Sequence, residues 1–550
     1  MRQKSPLPAL CARLRAVGTE TRSSPATSRL ASEEASLDPR QWQRTLFDAL
    51  IEQAEDRPKA VALEDQERTP LTFNRLLLGA LVLGRKIADL TQPGERVGVL
   101  LPNVNAAGVT LFALFAYGRV AAMLNFTAGA SGLISAIETI EARLVVTSRR
   151  FVGIAKLEEK IAALSQKATV VYLEDIRASV GFLDRIRGLL QSRRAAQMYR
   201  RYRPQPDDVA VILFTSGTEQ LPKAVALTHA NILANVEQAR VAIGCTSDDV
   251  LLNPLPVFHA FGLTAGLLLP VVVGFRCVLS ASPLQYEAVP ELARECGATI
   301  LLGIDTFANG WGRAAAPDDF RSLRLVVLGA ERVKDATRRL WSERFGIEIC
   351  AGYGVTEAAP VRAVNRPGYN RIGTVGPLLA GIEMRLEEVE GIEHAKRLFV
   401  RGPNIMAGYY LHDRPGVLVP PKDGWHDTGD LVTLDEAGAV TIVGRAKRFA
   451  KVAGEMISLG AAETLVAQSH PDGVHAVVAV PDPRKGEALV LVTTAGDIDL
   501  SYVRKAARQA QVSDLAVPSR VITVDEMPLL GNGKTDYLAL ERLAAVAQLV

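Results

Sequence analysis

The sequence predicts an α/β protein. A large N-terminal domain of parallel-rich sheets is sandwiched by helices and carries a small antiparallel barrel-like subdomain; a smaller α+β domain follows at the C-terminus. Three observations predict this. From about residue 42 to 380, short apolar runs alternate with helical patterns, as parallel strands covered on both faces require. Residues 382–443 turn strand-rich with frequent glycine turns (GIEMRL, RLFVRG, AVTIVG). Residues 445–550 return to a compact mixture of helices and short strands, and 550 residues exceed what one core of ~150 residues accounts for. The expected boundaries are 1–38 for a tail, 39–444 for the large domain with its β subdomain at 382–443, and 445–550 for the C-terminal domain.

In residues 1–38, Arg2, Lys4, Arg13, Arg15, Arg22 and Arg29 outnumber the acids, and Ser, Thr and Pro are frequent. The composition reads as a disordered basic tail, with an Arg-rich organellar presequence as the rival. A helix is expected from Trp42 through Gln53. Runs at 96–101 (RVGVLL), 144–147 (LVVT), 209–214 (VAVILF), 250–252, 299–302 (TILL) and 323–328 (LRLVVL) read as buried strands. Helical patterns lie between them, as at 230–243 and 334–345. The apolar run 261–275 falls short of the ~20 residues a membrane span needs and reads as a buried core helix.

Residues 185–203 carry Arg185, Arg187, Arg193, Arg194, Arg200, Arg201 and Arg203, with Asp184 the nearby acid and Leu189, Leu190, Met198 and Tyr199 interleaved. This is either a solvated helix face or a surface for an acidic partner, anionic lipid headgroups or an acidic carrier protein.

Lys+Arg 63 against Asp+Glu 60 leaves a net charge of +3, which speaks against a dedicated nucleic-acid binder and a disordered chain. The five cysteines are far apart, without the spacing of a zinc site or a disulfide framework, and no signal-peptide core opens the chain. A cytoplasmic protein is expected, with peripheral contact at the inner membrane face as an extension.

The chemistry is concentrated first at residues 214–225 (FTSGTEQLPKAV). A buried strand runs into Thr215, Ser216, Gly217 and Thr218, with Lys223 shortly after. Exposed backbone N–H groups, hydroxyls and a lysine point charge are what a polyphosphate needs. The Walker spacing GxxxxGK[ST] is not present in this stretch.

This loop resembles that of the adenylate-forming enzymes: acyl-CoA synthetases, luciferases and peptide-synthetase adenylation domains. Further stretches match in that family's order: 256–259 (PVFH), 329–331 (GAE), 352–357 (GYGVTE), 401–406 (RGPNIM) with 408–410 (GYY), 425–430 (WHDTGD), 444–445 (GR) and 531–534 (GNGK). Stretches 123–129 (MLNFTAG), 232–238 (ILANVEQ), 444–451 (GRAKRFAK), 453–456 (AGEM) and 527–534 (MPLLGNGK) are similar to one subfamily. It is the synthetase half of the bacterial bifunctional 2-acylglycerophosphoethanolamine acyltransferase/acyl-[acyl-carrier-protein] synthetase. The acyltransferase HxxxxD motif is not found, and a 38-residue tail is too short for that domain, so only the ligase activity is expected.

The resemblance implies an ATP-dependent fatty acid ligase. A carboxylate attacks the ATP α-phosphate, pyrophosphate leaves, and the acyl-adenylate yields to a phosphopantetheine thiol. The expected acceptor is acyl carrier protein; the alternatives are free CoA, or a weakly active ligand-binding paralogue. The first step brings an anion onto a polyanion, so cations and N–H donors are needed. By the resemblance, Thr215, Ser216, Gly217, Thr218 and Lys223 hold the β- and γ-phosphates. Thr356 and Glu357 serve the α-phosphate and Mg²⁺, with Glu357 the metal ligand. Gly329, Ala330 and Glu331 line the base pocket, and Tyr353 stacks on adenine beside Gly354, also a nucleotide-binding residue. Asp430 anchors the ribose with help from Arg445. Lys534 is the adenylation lysine and His259 gates the acyl pocket. The C-terminal domain is expected to rotate about residues 447–448, bringing Gly454 to the pantetheine channel. Gln220 and Ala224 depart from the family's glycines, and Gln220 is expected to strain the loop if that position needs positive φ.

Overall fold

The computed structural model describes residues 37–201, 204–215, 223–509, 512–529 and 535–547. Two eight-stranded sheets, one four-stranded sheet and one five-stranded sheet organise them. The basic tail and Cys11 therefore lie outside the described residues. Among the described residues the first element is the short turn Pro39–Trp42, capped by the Asp38 carboxylate, which accepts from the Arg40 N–H; the helix Leu46–Asp56 follows behind a Thr45/Asp48 capping box.

The first large sheet runs in the order Val361–Val364, Ile349–Gly354, Leu325–Leu328, Ile300–Gly303, Val250–Asn253, Arg276–Leu279, Val61–Asp65, Leu71–Thr72. Its interior pairs are parallel and its two edge pairs antiparallel. The second combines parallel strands Val209–Thr215, Val120–Met123, Arg96–Val99, Leu144–Thr147 and Thr169–Tyr172 with an antiparallel flank of Lys223–Thr228, Gly408–Leu411 and Arg414–Val419. The sequence places all of 382–443 in the β subdomain; the structure sends strands Gly408–Leu411 and Arg414–Val419 back to the large domain. The subdomain sheet itself is Glu383–Val389, Ile392–Arg401, His426–Leu434 and Val440–Arg445, all antiparallel. In the C-terminal domain, four strands are antiparallel neighbours and Arg520–Thr523 adds a parallel edge to Gly486–Thr493.

The helix His229–Ile243 locks these parts together. Thr228 and Asn231 form a reciprocal cap at its start, and Gly244, at φ +62°, ends it. Its side-chain amides then bind neighbouring backbone: Asn231 donates to Pro403 O, Asn235 to Val361 O at 2.7 Å, and Gln238 to Ala380 O. The run 261–275 is a buried helix as expected, but Phe261–Leu268 is wound as π-helix before the α-turn Leu269–Val273. Pro270 has no N–H to return to the Gly266 carbonyl, which instead accepts from the Cys277 thiol at 3.1 Å. Among the described residues no helix is long and apolar enough to cross a membrane.

Candidate active site

The carboxyl ends of parallel strands Leu325–Leu328 and Ile349–Gly354 open onto a cavity of about 1300 Å³. Ligands of open α/β sheets sit in the crevice outside the carboxyl ends of the strands, where the connecting segments part. Its lining includes a polar, glycine-rich set, Gly329, Ala330, Gly352, Tyr353, Gly354 and Thr356, and an apolar set, Ala239, Ile243, Leu251, Leu255, Ala265 and Leu269. His259 and the Phe258 ring line it too; Phe258 meets Phe126 edge-on at 4.8 Å. Glycine is required at 354, where a Cβ would sit 2.5 Å from Pro360 O.

Behind the polar end, Asp430 and Arg445 are directly paired across strands His426–Leu434 and Val440–Arg445, with Arg445 Nε 3.1 Å from the Asp430 carboxylate. The Tyr353 hydroxyl donates to the same carboxylate. Burial, reinforced by Asp430 and opposed by Arg362, pushes the Tyr353 hydroxyl up to about 12, so it remains a donor. Asp430 is buried behind Tyr353 rather than on the cavity wall.

Arg362, Tyr409 and Asn103 are site residues that sequence reasoning missed. Arg362 is fully buried, donates to the Tyr353 hydroxyl at 2.6 Å, and leaves Nε and Nη2 without hydrogen-bond partners. Tyr409 donates to the Glu357 carboxylate at 2.8 Å, while its ring faces the Lys223 ammonium at 5.6 Å. Asn103 fixes the loop before His259, donating to Leu255 O at 2.7 Å and accepting from the Val257 N–H. The only sequence signal for the first two was position: Arg362 follows the GYGVTE stretch and Tyr409 lies within GYY.

The expected residues thus separate into groups. Gly329, Ala330, Tyr353, Gly354, Thr356 and His259 share the cavity. Lys223 and Glu357 meet through Tyr409, and Asp430 and Arg445 through their strand pair. Glu331 is turned elsewhere: its carboxylate accepts from the Thr306 N–H and hydroxyl, at the start of helix Asp305–Ala314, and does not line the cavity. Thr215 sits at a strand end, its hydroxyl directed to Lys223 O across the hairpin. Ser216, Gly217, Thr218, Gln220 and Lys534 lie outside the described residues. Ala224 is a regular buried strand residue opposite Phe214 and Tyr410, so no glycine geometry is demanded there. Gly454, at φ +90°, sits in the exposed turn between Phe449–Val452 and Glu455–Ser458, away from the cavity. Between the two domains lies the short turn Ala446–Arg448; the Arg448 guanidinium belongs to the C-terminal side, 2.8 Å from Glu463 and stacked on Tyr537.

The arrangement fits a nucleotide with magnesium. An aromatic wall meets glycine backbone at two strand ends, and the unsatisfied guanidinium of Arg362 puts positive charge behind them. Among the described residues no three His, Cys, Asp or Glu side chains cluster as a metal site. Magnesium suits that setting, because it is held by one or two carboxylates with phosphate oxygens and water completing its shell.

The model of the AMP-binding enzyme family matches residues 50–410, and that of the AMP-binding enzyme C-terminal domain matches residues 466–534. The long-chain-fatty-acid–CoA ligase of Yersinia pestis is 28% identical over 484 residues, 80% of this chain and 84% of that protein. The medium-chain fatty-acid–CoA ligase of Escherichia coli is 27% identical over 91% of this chain and 89% of its own length. The crystal structure of ATP-bound MatB from Rhodopseudomonas palustris superposes with a TM-score of 0.76 at 25% identity, covering 91% of this chain and 98% of that one.

Proposed function

The chain belongs to the AMP-binding enzyme family, and from that premise we propose that it is an ATP-dependent, AMP-forming acid–thiol ligase acting on a fatty acid or related carboxylic acid. The observation that carries the reading is the single cavity joining a polar, glycine-lined strand edge to an apolar branch. One substrate of that reaction is a polyanion with an aromatic base, and the other is an apolar chain ending in a carboxylate.

In the first half-reaction a carboxylate oxygen attacks the α-phosphorus, the bond to the pyrophosphate oxygen breaks, and an acyl-adenylate forms. Tyr353 offers its ring to the base, and Asp430, paired with Arg445 behind that ring, holds it in place by accepting from the Tyr353 hydroxyl. Lys223 with residues 215–218 neutralises the outgoing phosphates, Thr356 donates toward the α-phosphate, and Lys534 supplies a cation to both reacting groups. Glu357, oriented by Tyr409, would hold magnesium, which supplies charge neutralisation on the phosphate oxygens. In the second half-reaction a thiol sulfur attacks the acyl carbonyl and AMP leaves. A lysine used only in the first step suits a C-terminal domain that turns about the Ala446–Arg448 segment.

Free CoA is the favoured acceptor, because relatives matched over about nine-tenths of both chains are named CoA ligases. The carrier-protein acceptor expected from the sequence is the second reading, favoured by the 444–451 and 527–534 stretches. The test is pyrophosphate release over fatty acids of graded length, followed by addition of CoA or carrier protein to the accumulated adenylate. Absence of release with every acid would sink the ligase reading, and the thiol that discharges the adenylate names the acceptor.

A further inference from the structure

We propose that the outer face of helix Phe182–Ser192, with the arginines around it, is a docking surface for an anionic lipid bilayer, placed beside the mouth through which the acid enters. The inference rests on the ligase reading for its substrate, and on the helix itself for the surface.

At about 100° per residue, Phe182, Leu183, Ile186, Leu189 and Leu190 fall within an arc of roughly 120°. Gly188 lies nearly opposite the centre of that arc, and there the helix meets the protein: a Cβ at 188 would stand 2.4 Å from the Val82 side chain of helix Phe73–Ala88. The apolar arc therefore faces solvent, with Phe182 76% and Leu183 79% exposed. Arg185 and Arg187 fall just beyond its two edges, and Arg193, Arg194, Arg200 and Arg201 follow, all exposed. Asp184, the acid among them, is already paired with Lys86 at 2.8 Å. The segment is held in place at its far end, where the buried Tyr199 hydroxyl meets Thr45 Oγ1 at 2.9 Å.

A solvent-facing apolar arc edged by arginines is the pattern of a helix lying in a membrane interface, its arginines at the headgroups and its apolar side chains at the acyl boundary. An acidic protein would match the arginines and leave the five apolar side chains unanswered; an anionic bilayer satisfies both. The position fits the purpose. Ile154, Leu173, Arg177 and Leu284 line the cavity, and Ile154 and Leu284 are among the exposed large apolar side chains. Phe182 follows Arg177 by five residues, so the two lie within about 18 Å even on a fully extended chain. A long-chain acid partitioned into the bilayer would enter without crossing water.

The experiment uses the full chain in flotation with vesicles of phosphatidylglycerol mixed with phosphatidylcholine, against phosphatidylcholine alone. Two variants accompany it: Arg185→Gln, Arg187→Gln, Arg193→Gln and Arg194→Gln together, and Phe182→Ser, Leu183→Ser and Leu190→Ser together. The native protein should float with the anionic vesicles, and each variant should lose at least about tenfold in partitioning. Pyrophosphate release with a soluble short-chain acid should be unchanged in both. Equal binding to both vesicle types, or binding that survives both variants, overturns the proposal. So does an arginine variant that raises KM for an acidic carrier protein while floating normally. Loss of pyrophosphate release in the native protein would instead count against the ligase reading, and flotation would still judge the surface.

Discussion

Arg362 donates to the Tyr353 hydroxyl at 2.6 Å while that hydroxyl donates to Asp430, so one buried guanidinium stands behind both the aromatic wall and the carboxylate of the polar end. Its Nη1 is also 3.8 Å from the Asp430 carboxylate. Replacing it by Leu leaves Asp430 with Arg445 as its remaining cation and removes positive charge from behind the nucleotide end. We expect Arg362→Leu to raise the ATP KM by about thirtyfold, ~2 kcal/mol, with the KM for the acid little changed. Initial rates against each substrate check this; equal effects on both would mark a general folding defect.

The Tyr409 hydroxyl holds one oxygen of Glu357. Tyr409→Phe keeps the ring beside Lys223 and loses the hydroxyl. A hydrogen bond to a charged group contributes about 1.5 kcal/mol, so the magnesium concentration for half-maximal rate should rise by roughly tenfold. Titrating magnesium at saturating ATP measures it, and an unchanged midpoint would remove Glu357 from the metal's shell.

Lys534→Ala should lose most of the adenylation rate, while thioester formation from supplied acyl-AMP survives. The lysine is assigned to charge that exists only while pyrophosphate is leaving. Separate assays of the two half-reactions check this, and equal loss in both would contradict the assignment.

Stability should fall in mild acid. His229 is fully buried, accepts from the Leu46 N–H through Nδ1, and is pushed by burial down to about 3. Burial also lowers His426, to about 4, with Arg362 adding to the effect. Both folded values lie below the ordinary 6.5, so the unfolded chain takes up protons that the folded chain refuses. The stabilisation is complete above about pH 6.5 and is lost as pH falls toward 4. Urea midpoints at about pH 7, 5.5 and 4, equal steps across that window, should decline. His229→Gln should flatten the decline, and a midpoint independent of pH would contradict the buried neutral state.

The parts of this molecule that are contiguous in sequence were the legible ones. Strands such as Leu144–Thr147 and Leu325–Leu328 declare themselves by β-branched runs, whereas Val120–Met123 is mostly Ala and Met and is a strand because Arg96–Val99 and Val209–Thr215 pair with it on either side. Ile349–Gly354 carries two glycines, which weaken a strand signal, and reads first as a motif. Tyr353 and Asp430 were found because each sits in a compact stretch. Arg362 was not, since nothing local distinguishes a fully buried arginine from an exposed one in V-R-A-V. The Tyr409–Glu357 contact depends on Gly408–Leu411 crossing back to pair with Lys223–Thr228, a long-range event with no local signature. Glu331 shows the converse: its position was read correctly in the chain, but the free N–H groups at the start of helix Asp305–Ala314 recruit its carboxylate.

Acyl chain length should be set by the apolar branch, and Ala239 is the position at which to shorten it. Ala239 lies on helix His229–Ile243 and lines the cavity together with Ile243, Leu251 and Leu269. A phenylalanine there is compatible with the helix and fills space that the distal methylenes of a long acid would occupy. Each buried methylene contributes about 0.8 kcal/mol, so excluding three of them costs ~2.4 kcal/mol, or roughly sixtyfold in kcat/KM. Ala239→Phe should therefore lose long acids by that factor while an acid too short to reach the branch reacts at the native rate. Pyrophosphate release across a graded series checks it. A uniform loss at every length would place Ala239 outside the acyl path, and an unchanged profile would mean that the chain runs along the wall near Phe126 and Phe151 instead.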